Sequence, residues 1–195
     1  KLKNPSESHP ELSYVVPEPA VLNARDYGLA QNRARLFLVA IRADVARQHS
    51  VDESNFAWPV PTHDSDSLKV GDFLDEKVDD SFTISDRLWS GHLERKQRNS
   101  NRGAGWGFQL FNQESKYVAT ISARYWKDGS EALISQPGRN PRKLTPNEAK
   151  KLQGFPPNFM LHSSKMQAFK QLGNAVPVPV VRALARAIEK FLSDS

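Results

Sequence analysis

The stretch from Arg142 to Pro177 constrains the fold most, because it marks its own boundaries. Thr145, Pro146 and Glu148 set a hydroxyl cap, a first-turn proline and a third-position acid in order, which predicts a helix start. Gly154 stops that helix, with Pro156 and Pro157 just beyond. A second short helix is expected next. Gln171-Leu172-Gly173-Asn174-Ala175-Val176-Pro177 then predicts a tight bend feeding a last helix from about Pro179 to Leu192. That helix places Val181, Leu184, Ala185, Ile188 and Phe191 on one face and reads as a packing helix.

Upstream, Glu11–Val16 and Ala20–Asn23 read as short strands, and Lys1–Pro10 as a polar arm. Arg35–Ile41 is a nearly continuous apolar run, as expected of a strand buried on both faces. The polar segment Asp26–Asn32 joins these strands, and such loops carry ligand-facing side chains. Ala43–Phe56 reads as a linker or short helix, and Trp58–His63 as a proline-punctuated loop. Asp64–Asp80 is acidic and anchored by Val70, Phe73 and Leu74; a polyanion-binding surface would avoid it. Thr83–Asp86 caps a helix expected through Arg87, Leu88, Trp89, His92 and Leu93.

The charge then changes sign. Arg95, Lys96, Arg98 and Arg102 stand among asparagines, serines and glycines, the composition of a basic loop that lies against phosphates. Gly107–Phe111 and Tyr117–Tyr125 read as strands, the second alternating Tyr117, Ala119, Ile121, Ala123 and Tyr125 with Val118, Thr120, Ser122 and Arg124. Lys127–Ser130 is a turn, and Glu131–Ile134 the return strand. Trp106 and Trp126 fit a small core better than a groove contact.

Over 195 residues the net charge is +5, which suits a polyanion partner without proving one. No long apolar run or signal peptide is present, and there is no cysteine, so a membrane span and a disulfide framework are excluded and a cytoplasmic location is expected. His9, His49, His63, His92 and His162 lack metal-ligand spacing, so no metal site is expected. No phosphate loop or nucleophile elbow occurs.

Three blocks together resemble the DNA cytosine-5 methyltransferases. Leu22–Gly28 with Gln31, Arg33 and Arg35 resembles the family's eighth motif. Arg142, Leu144, Thr145, Glu148, Leu152, Gln153, Gly154, Phe155, Pro156 and Phe159 resemble the ninth. Gln171, Gly173, Asn174, Ala175, Val176 and Pro177 resemble the tenth. The run Thr120–Glu131 resembles the recognition-domain core of several bacterial members, including enzymes that read CC(A/T)GG. The family's cysteine nucleophile, its glycine-rich donor motif and its Glu-Asn-Val block are absent from this chain.

The resemblance implies an α/β fragment, part of an S-adenosylmethionine-dependent methyltransferase sheet domain, plus a small irregular β-rich target recognition domain. Residues 1–45 would carry strands of the catalytic domain, 46–141 the recognition domain, and 142–195 the helices that return to the catalytic domain. The last helix would then present its apolar face to that domain. The chain would be a cut fragment or a subunit of a split enzyme of bacterial restriction-modification, inactive alone. Its partners would be duplex DNA and an N-terminal half carrying the catalytic loop. A non-catalytic DNA-binding module or specificity subunit is the alternative.

A base stacked in duplex must be swung out before its ring can react, and arginine suits the holding of base and backbone. Arg33 and Arg35 alternate and so share one side of an extended chain. The resemblance implies that Arg35 contacts the flipped cytosine, or the acid beside it, with Arg33 in support. It implies that Asn174 and Ala175 line the S-adenosylmethionine pocket, and that Leu144, Leu152, Phe155 and Phe159 form a hydrophobic brace. DNA contacts would come from Arg95, Lys96, Arg98, Arg102, Thr120, Arg124 and Lys127.

Overall fold

The computed structural model describes residues 13–50, 52–64, 67–105 and 107–193. The expected arm at Lys1–Pro10, the first residues of the Glu11–Val16 strand and Trp106 lie outside the described residues. Four short strands open the fold. β1 (Tyr14–Val15) pairs antiparallel with β4 (Ile41–Arg42), and β2 (Ala20–Asn23) pairs antiparallel with β3 (Ala34–Phe37). The β2–β3 register sets Val21 opposite Leu36 and Leu22 opposite Arg35.

Arg35–Ile41 is therefore not one strand buried on both faces. It breaks between β3 and β4, and side chains alternate: Leu22 and Phe37 turn inward, while Val21 is 65% exposed and Leu36 69% exposed. A two-stranded ribbon covers only one of its faces from within this chain, so an apolar run alone does not imply burial on both. The inner face packs with Ala24, Tyr27, Leu29 and Val180.

β4 leads directly into α1 (Ala43–Gln48). At the other end of the chain, α5 (Val178–Ser193) returns to the same strands. Leu184, Ala187, Ile188, Phe191 and Leu192 close over Val39, Ile41, Ala46 and Phe56, with Phe56 edge-on to both Trp58 and Phe191. The apolar face expected to await another domain is thus covered by this chain's own N-terminal strands. Of the expected stripe, Leu184, Ile188 and Phe191 face inward, while Val181 and Ala185 are exposed and Val180 and Ala183 take the inner positions of the first turns.

The middle of the chain is irregular, but it is not rich in β structure. Its longest element is α2 (Asp86–Asn101), capped by the Ser85 hydroxyl, which accepts from Leu88 N–H. The expected basic loop is a correction: Arg95, Lys96 and Arg98 lie on this helix, and only Arg102 stands at its C-cap. A small sheet follows, with β5 (Leu110–Phe111) parallel to β6 (Leu133–Gln136) and β6 antiparallel to β7 (Arg139–Arg142). The return strand thus lies two residues later than expected and turns back through Gly138 at φ 67°.

Tyr117–Tyr125 does not form the expected strand. Only Val118 makes an isolated parallel bridge, to Gln31, and turns occupy 123–128. Val118, Ile121 and Tyr125 are the fully buried residues, at spacings of three and four rather than two. The acidic segment behaves as expected: Val70 is fully buried, and Phe73 and Leu74 pack on the main core.

α3 (Pro146–Leu152) begins as the sequence predicts. The Thr145 hydroxyl accepts from Glu148 N–H at 3.0 Å, and the Glu148 carboxylate accepts from Thr145 N–H at 2.7 Å. Gly154 ends the helix at φ 74°, and a Cβ there would lie 2.5 Å from Pro179 Cδ. α4 (Lys165–Asn174) follows and incorporates Gln171–Asn174, so the bend begins only at Ala175. The principal core unites all three expected segments: Ala30 from the first, Val118, Ile121, Tyr125, Ala132 and Ile134 from the middle, and Leu144, Leu152, Phe169 and Leu172 from the last. Phe155 and Phe159 stack at 4.3 Å, so the brace extends to the surface.

Candidate nucleic-acid interface

Arg33 is the point at which the three motif-bearing segments meet. Its side chain is 2% exposed, and its guanidinium donates to three backbone carbonyls: Ile121 at 2.9 Å, Gly173 at 2.7 Å and Ala175 at 2.8 Å. Two of these are carbonyls at the C-terminal end of α4, where a cation complements the helix dipole. Burial first, and the neighbouring Arg35 second, hold the Arg33 guanidinium down to about 10, still charged at neutral pH.

The same seam is sewn by amides. Gln31 is fully buried; its Nε2 donates to Leu152 O at 2.9 Å and its Oε1 accepts from Ile121 N–H. Asn32 N–H donates to Val118 O, and Val118 N–H to Ala30 O. The Thr120 hydroxyl donates to Asn32 O at 2.8 Å, so this DNA-contact candidate braces the seam. Asn23 Oδ1 accepts from Arg33 N–H at 2.9 Å, and its Nδ2 donates to Asn32 Oδ1. The strand alternation expected of the arginines holds: Ala34 and Leu36 are exposed, while Arg33 is buried and Arg35 half-buried. Arg35 donates to its neighbour Ala34 O, leaving a guanidinium at the surface edge of the seam.

Gly173 explains why α4 can approach so closely. A Cβ there would meet backbone, 2.3 Å from Ala123 N and 2.4 Å from Ser122 C. Its neighbours Asn174, exposed, and Ala175, half-buried, form the open end of the helix beside the Arg33 clamp. Five candidates therefore lie within one seam: Arg33, Arg35, Thr120, Asn174 and Ala175.

The remaining candidates divide. Arg124 and Lys127 are exposed on the 123–128 turns, with Lys127 Nζ 5.8 Å from the Trp126 ring centroid. Arg98 and Arg102 are exposed on the last turns of α2. Arg95 is engaged within the protein: it donates to Asp128 Oδ2 at 3.2 and 3.3 Å and to His92 Nδ1 at 2.6 Å. Lys96 Nζ lies 5.0 Å from the Phe108 ring centroid. In the sequence His92 stands only as one of five scattered histidines. Its spacing of three from Arg95 on a capped helix was the available signal.

The family described as C-5 cytosine-specific DNA methylase matches residues 2–190. Type II methyltransferase M1.ScrFI of Lactococcus lactis subsp. cremoris is 47% identical over 185 residues, covering 95% of this chain and 46% of that protein. Type II methyltransferase M.NlaX of Neisseria lactamica is 50% identical over 173 residues, covering 89% of this chain and 52% of that protein. The chain spans about half the length of the curated relatives it matches. In fold it is similar to the S. pombe Dnmt2 methyltransferase, at TM-score 0.64 and 15% identity over 91% of this chain and 56% of that one. The Entamoeba histolytica methyltransferase EhMeth gives TM-score 0.63 and 20% identity over 93% of this chain and 54% of that one.

Proposed function

The chain belongs to the C-5 cytosine-specific DNA methylases, and on that premise we propose that it supplies the DNA-reading and C-terminal portion of a cytosine-5 methyltransferase of bacterial restriction-modification. The observation that carries this reading is the Arg33 clamp, which joins the segment of Gln31 and Arg35, the Thr120–Lys127 segment and the end of α4 through three carbonyls. Bringing a base-holding arginine, a groove-reading turn and a donor-site edge together is what methylation of an extruded base requires.

On this reading Arg124 and Lys127 meet the duplex, with Arg98 and Arg102 adding phosphate contacts. Arg35 holds the extruded cytosine: its planar donors suit a carbonyl or phosphate oxygen, which a single ammonium cannot meet in the same bidentate way. Arg33 does not touch substrate; it fixes the strand that carries Arg35. The methyl donor would be S-adenosylmethionine, which supplies an electrophilic methyl on sulfur. The exposed Asn174 carboxamide, both donor and acceptor, fits the edge of such a site, and Ala175 beside it adds no bulk. Gly173 sets the position of that edge through its contact with Ser122 and Ala123.

The chain contains no cysteine, so the nucleophile of the family's chemistry must come from another polypeptide segment. The exposed Val21 and Leu36 on the outer face of β2–β3 suit contact with that partner half. The 195-residue chain alone is therefore inactive on this reading. The test is transfer of labelled methyl from S-adenosylmethionine to mixed-sequence duplex DNA, with this chain alone and with a candidate N-terminal half added. Activity only in the mixture is the expected result. Salt-dependent DNA binding with no activity in either arm would favour a non-catalytic binding module, and activity from this chain alone would overturn the proposal.

A further inference from the structure

The turn that presents Arg124 and Lys127 is fixed from two sides, and the functional reading uses only one of them. On the core side, Tyr125 is fully buried; its hydroxyl donates to Ala132 O at 2.7 Å and accepts from Leu144 N–H at 2.8 Å. Ser122 and Ala123 lie against Gly173. Lys143 Nζ donates to Trp126 O. The other side, at Asp128, is held from α2. Arg95 donates twice to Asp128 Oδ2, and His92 Nε2 faces Asp128 O at 3.3 Å. Asp128 Oδ1 in turn accepts from Ser130 N–H at 3.1 Å, which shapes the turn itself.

The protonation pattern is fixed by chemistry. Arginine only donates, so His92 Nδ1, 2.6 Å from Arg95 NH2, must be an acceptor. The proton of the neutral imidazole then sits on Nε2 and points at Asp128 O. His92 is 1% exposed and tilts against Phe108, whose ring also contacts Trp89. A buried imidazole serving as both acceptor and donor therefore couples the helix to the backbone and side chain of one turn residue.

We propose that His92, Arg95 and Asp128 are positioning residues for sequence discrimination: they set the pose of the 123–128 turns, and hence of Arg124 and Lys127, against the base edges. The inference rests on the DNA-reading role proposed above. It assigns Arg95 to the protein rather than to phosphate, and gives His92 a role that no surface charge would have. Base readout needs placement to a fraction of an ångström, whereas attraction to phosphate tolerates motion. Loosening the clamp should therefore reduce discrimination more than affinity.

The experiment uses the 195-residue chain, wild type and with His92→Phe, His92→Gln or Asp128→Asn, bound to a pool of duplexes with a randomised core. Bound DNA is sequenced for enrichment, and affinity for the whole pool is measured by anisotropy. Phenylalanine keeps the ring but neither bonds Arg95 nor donates to Asp128 O; glutamine can do both. The expected result is that His92→Phe lowers enrichment of the preferred sequence about tenfold, with pool affinity within about twofold, and that His92→Gln restores enrichment to within about threefold of wild type. Asp128→Asn, which weakens the Arg95 contact without cutting the turn, should fall between them. Equal enrichment by wild type and His92→Phe would overturn the inference while leaving the DNA-reading role intact. Absence of any enriched sequence with wild type would overturn that role, and the inference with it.

Discussion

Arg142 and Glu148 form a fully paired, buried ion pair, with Arg142 NH1 donating to Glu148 Oε2 at 2.8 Å and NH2 to Oε1 at 2.7 Å. The same carboxylate accepts from Thr145 N–H and from Asp75 N–H. One acid thus caps α3, neutralises the end of β7 and anchors the acidic segment, whose Asp75 carboxylate accepts hydrogen bonds from the Thr145 hydroxyl, Asn147 Nδ2 and Lys151 Nζ. Glu148 is completely buried, so Arg142 NH2 and the backbone N–H groups of Thr145 and Asp75 would be stranded without it.

Glu148→Ala should therefore cost about 3–5 kcal/mol, the usual loss when one partner of a buried pair is removed. Glu148→Gln keeps the volume and some hydrogen bonds and should cost less. Urea midpoints of the two variants, compared with wild type, check both the size and the order. Equal stability of Glu148→Ala and wild type would sink the account.

Gly173 gives a prediction whose sign runs against helix propensity. Alanine inside a helix normally gains about 1 kcal/mol over glycine. Here a Cβ would fall 2.3–2.4 Å from the backbone of Ser122 and Ala123, which cannot rotate away. Overpacking of that kind costs about 1–3 kcal/mol or more. Gly173→Ala should lower the melting temperature, and a rise would mean that the two segments separate freely.

Arg33 should resist conservative replacement. Lysine has one nitrogen where the guanidinium reaches Ile121, Gly173 and Ala175 together. Arg33→Lys strands buried carbonyls at about 1–3 kcal/mol each, so a loss of about 3 kcal/mol is expected in denaturant titration. Arg35→Lys, at a half-buried site bonded among the described residues only to its neighbour's carbonyl, should leave stability within about 0.5 kcal/mol. Similar losses from both variants would remove the distinction between clamp and surface group.

The sequence disclosed what was decided locally. Thr145, Pro146, Glu148 and Gly154 act within a few residues of one another, and α3 starts and stops as they dictate. The Tyr117–Tyr125 alternation misled because its burial comes from partners far along the chain: Val118 meets Ala30 and Asn32, and Ile121 meets Gln31 and Arg33. The second half of α2 is polar, so the apolar pattern ends at Leu93, eight residues before the helix does. The helix persists because His92 and Arg95 reach Asp128 and Trp89 packs on Phe108. Arg33 was legible as a member of a motif, but not as a clamp, since its three acceptors are backbone carbonyls 88 to 142 residues away.

His92 should leave a trace in the pH dependence of stability. Burial first, and the Arg95 charge second, hold its imidazole below the ordinary value of 6.5, with Asp128 opposing them. The unfolded chain therefore takes up the proton first as pH falls. The neutral imidazole contributes stability above about pH 6.5, and that contribution is lost as pH drops through the lower folded value. Glutamine at this position cannot titrate, so the gap between wild type and His92→Gln should move against wild type on acidification. Comparing the two cancels carboxylates distant from His92, Asp75 among them, that titrate in both proteins. Denaturant midpoints between about pH 7.5 and 5 check this, and parallel curves would show that His92 is not held neutral.

Arg124 and Lys127 carry the last prediction, which separates contacts with DNA from contacts within the protein. Each phosphate contact adds about 0.9 to the slope of log affinity against log salt. Arg98→Ala and Arg102→Ala, both at exposed positions, should reduce that slope by about one each, uniformly across sequences. Arg124→Ala or Lys127→Ala, if either reads a base edge, should instead relax preference at particular positions, by about 1–3 kcal/mol each. Arg95→Ala should leave the slope nearly unchanged, because its guanidinium is already spent on Asp128 and His92. Binding isotherms across a salt series distinguish the three groups. A slope change for Arg95 equal to that for Arg98 would place its charge on the DNA after all, and would leave Asp128 to be held by His92 alone.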